Sequence, residues 1–202
     1  MFLGLLLAML AASAHASHAK DEALIEAAEN KFLRGCCTNT RDAAVCYDSL
    51  FPRASSFEGN LVKVTTAATI IAYEQLCSLD VELRSILRQG TGVGEYMANV
   101  LGSCLSFFEG VALFNEDSVL VTLRQLETVD GRKEKHAESD LNEVNIRVGE
   151  VASSTDLLCM EDFVRLGNGV LASPVGKIMV VGNATVTLYG GIVLDLVASI
   201  KL

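Results

Sequence analysis

Six cysteines, at positions 36, 37, 46, 77, 104 and 159, are the residues of this 202-residue chain with the most chemistry to offer. A metal site would need thiolates grouped with each other or with histidine at ligand spacing. No C-x-x-C occurs, and the adjacent pair Cys36-Cys37 has no histidine partners nearby. A catalytic cysteine or serine would need a histidine base, and beyond His15 and His18 near the N-terminus the chain has only His136. That residue closes the charged turn Asp130–His136, with no nucleophile placed beside it by a recognisable motif. The glycines of Gly90-Thr91-Gly92-Val93-Gly94 suit a phosphate cradle, yet no strand precedes them and their spacing matches neither G-x-G-x-x-G nor a P-loop. Gly176-Lys177 is followed by Ile178 where a P-loop needs Ser or Thr. Asp and Glu total 25, but they scatter over polar faces, and nothing raises one carboxyl above another as acid–base catalysis requires. The expected chemistry is disulfide formation, with no catalytic residue, no bound cofactor and no metal.

Disulfides need an oxidising compartment. Met1–Ala12 is an apolar run too short to span a bilayer, and small residues at cleavage spacing follow it, which predicts a secretory signal peptide over residues 1–19 cut after Ala16 or Ala19. A single domain over residues 20–202 is left, secreted to the extracellular space. Lys and Arg total 16 against 25 Asp and Glu, a formal charge of −9 with a pI near 4.8, so nucleic acid and anionic lipid are poor partners. A second apolar stretch, Ile178–Ile200, has the length of a membrane span. Asn183, Asp195 and several small polar residues interrupt it, and it reads as a buried helix, with no membrane attachment after signal removal.

The elements that position these residues are helical. Half of the chain is hydrophobic while aromatics supply 6%, with no Trp and 2 Pro, a composition that disfavours sandwiches and barrels. Asp21–Arg34 and Arg41–Phe51 predict a short helical hairpin turning at Gly35–Thr40. Ser55-Ser56-Phe57-Glu58 fits a capping box, followed by Leu61, Val64, Ala68, Ile71, Leu79, Leu83 and Ile86 at helical spacing up to the glycine cluster. From Glu95 to about Val129, the residues Val100, Cys104, Phe107, Val111, Phe114 and Val121 suggest a bundle seam. Asp140 and Glu143 open a third long helix with Leu141, Val144, Val148, Val151 and Leu158 on one face, fading near Leu166. After a loop over Gly167–Ser173, Ser173-Pro174 starts the last helix. Four long helices on short polar turns predict an all-α, antiparallel up-down-up-down four-helix bundle with an N-terminal helical hairpin.

Spacing alone leaves the connectivity of six cysteines open. Cys37 and Cys46 have eight residues between them. Further along come Gly102-Ser103-Cys104 with Phe108 four residues later, then Asp140–Ile146, then Val151–Phe163 enclosing Cys159. In this order and spacing, over essentially the whole mature chain, the sequence resembles the plant invertase and pectin methylesterase inhibitor family, which usually has Tyr where Phe108 stands. The resemblance implies a hairpin clamped by Cys37–Cys46 and a second bridge, Cys104–Cys159, between the two middle bundle helices, with Cys36 and Cys77 left over. It also implies function by stoichiometric binding in the plant cell wall, without turnover. Invertase inhibitors carry Pro-Lys-Phe in the turn before the third long helix. Here Asn142-Glu143-Val144 holds that place, so the implied partner is a pectin methylesterase in a 1:1 complex. Acid invertase is the alternative target, and a secreted bundle with no enzyme target is a further alternative. The implied polar contacts are Asn142, Asn145, Asp156, Glu161 and Asp162, on the second and third long helices. Asn183-Ala184-Thr185 is the only N-glycosylation sequon, and its use requires Asn183 to face water.

Overall fold

The computed structural model describes residues 24–90, 94–154 and 159–202, with side chains described throughout except at 111–116 and 154. The expected signal peptide, Asp156, Leu158 and the centre of the glycine cluster at Thr91–Val93 lie outside the described residues, as do the side chains of Val111 and Phe114.

The described residues begin with a hairpin of α1, over residues 24–37, and α2, Ala43–Leu50. The first helix runs three residues past its expected end at Arg34, through Gly35 and both cysteines, before the chain turns. Thr40 Oγ1 then donates to the Cys37 carbonyl at 2.8 Å, and Asp42 caps α2 by accepting from the Val45 N–H at 3.0 Å. Leu33 and Cys37, one turn apart on α1, face Cys46 and Leu50, one turn apart on α2, and all four are buried. On the hairpin's outer side the Arg34 guanidinium lies over the Tyr47 ring, 4.1 Å from its centroid.

The expected capping box at Ser55–Glu58 is not where the first bundle helix starts. Phe51–Ser56 is a 3-10 helix, and Glu58 and Gly59 both adopt positive φ, 50° and 67°, which ends any continuation. The cap is Asn60. Its Oδ1 accepts from the Val62 N–H at 2.9 Å while its Nδ2 donates to the Glu127 carbonyl at 2.8 Å, so one side chain starts α3 (Leu61–Gln89) and ties it to the end of α4 (Glu95–Leu126). Gly90, at φ 63°, terminates α3 in the left-handed conformation.

A short α5, Val129–Lys133, replaces the first part of the expected charged turn, because the Thr128 hydroxyl accepts from the Gly131 N–H at 2.8 Å and caps it. α6 covers Ala137–Ser154, beginning three residues ahead of the expected Asp140. After residues 155–158 come Cys159 and Met160 in a single π turn, α7 (Glu161–Arg165) and α8 (Asn168–Leu171), a helical turn inside the expected loop. The last helix, α9 (Pro174–Ser199), starts as expected: the Ser173 hydroxyl accepts from the Gly176 N–H at 3.1 Å, with Pro174 at the first helical position.

α3, α4, α6 and α9 form the bundle, α3 and α6 each packing on both α4 and α9. Their directions alternate. Arg84, near the end of α3, donates to the Leu105 carbonyl at 3.4 Å and to Glu109 at 3.2 Å, both in the first half of α4. Leu79 of α3 meets Gly182 of α9, and Ala152 of α6 meets Gly190 of α9. The fold is the up-down-up-down bundle with an N-terminal hairpin. All the described regular elements are helices.

Buried residues fall into two clusters stacked along the bundle axis. One joins the hairpin (Leu33, Cys37, Cys46, Leu50) to Val64, Leu123, Val144 and Leu196. The other joins Leu76, Leu83, Leu101, Cys104, Phe108, Cys159, Phe163 and Met179. Along α9 the residues Met179, Asn183, Val186, Gly190, Val193 and Val197, spaced alternately by four and three, are all buried, the register of helices packed at a shallow angle. Leu141, Val144, Val148 and Val151 line the buried face of α6 as expected. On α4 the expected seam is displaced. Val100 and Cys104 are buried and Phe107 is half-buried, but Val121 is half exposed, and the core is lined instead by Leu101, Leu105, Phe108, Val119, Leu123 and Leu126. The two rows lie side by side on the helix, and the larger Leu and Phe side chains take the interior.

The hairpin is fastened to the far end of the chain. Asp195 Oδ2 accepts from the Arg41 backbone N–H at 2.8 Å and from Arg41 Nε at 3.1 Å, and Oδ1 accepts from Nη2 at 3.2 Å. Gly191, one turn earlier, makes room for this fork, since a methyl there would overlap the guanidinium. Burial pushes the Asp195 carboxyl up, but the hydrogen bonds and charge of Arg41 outweigh it and hold the group below its ordinary 3.8. Stability from this depressed carboxyl is present above its unfolded-state value and is lost as pH falls through the lower folded one. Asp195→Asn is therefore expected to destabilise the domain by about 1 kcal/mol at neutral pH, the clasp being partly exposed. The gap between variant and wild type, followed by urea unfolding, should close as pH is lowered below the ordinary aspartate value.

Candidate functional site

The chemistry that the cysteines promised is realised as two bridges. Cys37 is bonded to Cys46, and Cys104 of α4 to Cys159, with Cα–Cα separations of 5.6 and 5.3 Å. All four residues are buried, one bridge in each core cluster. The second bridge holds the segment after α6 against the first half of α4, so that α6, α7 and α4 cannot separate at that end.

Cys36 and Cys77 belong to neither bridge. Cys36 is half-buried against the hairpin cluster, and burial, against a weaker backbone hydrogen bond, pushes its thiol up to about 11, which suppresses the reactive thiolate. Cys77 is exposed on the outer face of α3, one position past the buried Leu76.

The expected contact residues occupy two places. Asn142 and Asn145 are exposed and three residues apart on α6, flanking the buried face of Leu141, Val144 and Val148. Glu161 and Asp162 open α7, and both turn to one partner: Arg165 donates to Glu161 at 2.7 Å and to Asp162 at 3.4 Å. Two of the expected contact carboxylates are thus already ion-paired within their own short helix, while the two amides of α6 make no hydrogen bond among the described side chains. On α4 the small residues Ser103, Ser106 and Gly110 are exposed on one stripe, opposite the buried Leu101, Leu105 and Phe108. Glu143 sits beside Asn142 and is engaged by Arg147 at 2.8 Å.

Among the described residues no three of His, Cys, Asp and Glu converge as a metal site. His136 is exposed at the start of α6, where its carbonyl accepts from the Asp140 N–H. The two carboxyls that are clearly shifted, Glu58 and Asp195, both move down, Glu58 through its hydrogen bond and charge pairing with Lys63. Asn183 of the sequon is buried in the α9 seam, so a glycan at that amide is incompatible with the bundle.

Sequence reasoning missed Arg41 and Asp195. A readable sign existed: Asp195 is the one acidic residue in the long apolar run that forms α9. No family model, curated protein or solved structure matches this chain.

The bridges differ in the loops they close, 9 and 55 residues in sequence separation. In the chain-entropy account these loops contribute roughly 2.6 and 4.2 kcal/mol respectively. Paired Cys→Ala replacement at 104 and 159 should therefore lower Tm more than the same replacement at 37 and 46, measured by calorimetry. Glycosidase treatment of chain secreted from a glycosylating host should leave its intact mass unchanged.

Proposed function

We propose that this chain is a secreted, non-enzymatic inhibitor that binds a plant pectin methylesterase 1:1 and obstructs its active-site cleft. The observation that carries this reading is the disposition of the bridges, one closing the N-terminal hairpin and one joining α4 to the segment after α6. This is the frame that the resemblance to the plant invertase and pectin methylesterase inhibitor family implies. The contact face is the exposed side of α4 and α6, with Asn142 and Asn145 as its available hydrogen-bonding groups.

A body cross-linked in this way loses little conformational entropy on docking, so surface complementarity is converted into affinity with a small ordering cost. The Pro-Lys-Phe turn of invertase inhibitors is replaced here by Asn142-Glu143-Val144, which favours the esterase over acid invertase as the target.

Mixing the purified chain with pectin methylesterase and, separately, with acid invertase tests the reading. Stoichiometric loss of esterase activity with co-elution of the two proteins is expected, with invertase unaffected, and the Asn142→Ala/Asn145→Ala variant should bind about tenfold more weakly. No effect on the esterase removes the proposal.

A further inference from the structure

Away from the α4–α6 face, on the opposite side of the bundle, α3 and α9 enclose an open groove of about 370 Å³. Its floor is apolar. Leu79, Ile178, Val181 and Gly182 line it, and the groove is narrow at its base because Gly182 lets α9 approach the Leu79 side chain closely; a methyl at that position would overlap Leu79. Val181 is 66% exposed, one of the most exposed large apolar side chains described. Together with half-buried Ile178 it makes the apolar surface that the groove leaves to solvent.

The walls carry opposite charges. Glu82 stands on the α3 side and Lys177 on the α9 side. Both are exposed, and among the described residues neither takes part in an ion pair, although many of their charged neighbours do. Their levels along the groove nearly coincide. Leu79 and Gly182 touch, Glu82 lies three residues beyond Leu79, and Lys177 lies five residues before Gly182. In antiparallel helices both displacements run the same way, about 4.5 and 7.5 Å at 1.5 Å per residue. The offset of about 3 Å is within the reach of a lysine side chain.

An apolar floor between an unpaired acid and an unpaired base at one level is complementary to itself. We propose that this groove is the interface of a two-fold homodimer. With the symmetry axis running along the groove, α9 of one copy lies on α3 of the other. Val181 is then covered, and each Lys177 meets Glu82 of the opposing copy, giving two equivalent ion pairs, as an isologous contact requires. The pairs fix the register while the buried valine and isoleucine supply the attraction. The interface leaves the Asn142 and Asn145 face open, so it is independent of any target enzyme.

Sedimentation of the purified chain over a dilution series is the test. Wild type is expected to rise toward twice the monomer mass with concentration, and the dimer should weaken as salt screens the pairs. Lys177→Glu and Glu82→Lys, each at an exposed position, should each be monomeric alone, since like charges then face each other. Mixed together they should form a heterodimer, because one copy then presents two acids and the other two bases. Val181→Asp should be monomeric with an unchanged thermal unfolding profile. Wild type that stays monomeric at every concentration overturns the proposal and leaves the groove to some other partner. A dimer that survives both charge reversals, or single variants that fail to associate when mixed, overturns it as well.

Discussion

Each half of the hydrophobic core is closed by its own covalent link, and that arrangement governs what the rest of the molecule can do. Cys37–Cys46 sits where the hairpin enters the first cluster, and Cys104–Cys159 sits inside the second, among Leu101, Phe108 and Phe163. A domain of this size has a net stability of about 5 to 15 kcal/mol, so links worth several kcal/mol in the unfolded-state ledger are a large fraction of the whole. Their burial matters as much as their presence, since a reductant has to open the core before it reaches either sulfur pair. A stiff body follows, with its functional options confined to its surface.

The helix α9 is the other organising element. Pro174–Ser199 is long and apolar enough by composition to cross a membrane, and in the bundle its heptad face is buried between α3 and α6. Small residues make this possible: Gly182 admits Leu79, Gly190 admits Ala152 and Gly191 admits Arg41. The helix has only two charged residues, Lys177 and Asp195. Asp195 receives the hairpin through Arg41, which couples the first and last helices of the described chain. Lys177 faces the outer groove, where its charge and that of Glu82 mark a surface apart from the α4–α6 face proposed to meet an enzyme.

Helical periodicity made the bundle legible, and Val64, Ala68, Ile71, Leu79 and Leu83 of α3 and the apolar face of α6 could be read from spacing, although α3 also buries Thr65, Thr66 and Thr69, whose hydroxyls donate to carbonyls four residues earlier. The start of α9 was legible for a chemical reason, the capping hydroxyl of Ser173 ahead of Pro174. Four features were hidden. The start of α3 depends on Asn60 bonding the end of α4, a contact between residues 60 and 127 that local patterning cannot contain. The α4 seam was displaced because two apolar rows run side by side there, and only the neighbouring helices decide which row turns inward. The solvent-facing position of Cys77 is of the same kind: it lies between buried Leu76 and Leu79 in sequence, yet it is rotated out of the core. The carboxylates Glu161 and Asp162 looked available for contacts, and their engagement by Arg165 depends on rotamers that spacing does not specify.

A non-reducing peptide map of the folded chain is the most direct measurement of this account. Peptides linked through Cys37–Cys46 and through Cys104–Cys159 are the result it predicts, with Cys36 and Cys77 outside both linkages. Recovery of Cys104 and Cys159 as alkylated thiols from correctly folded protein would contradict it, because the clamp on α4 and with it the rigid binding body would be lost.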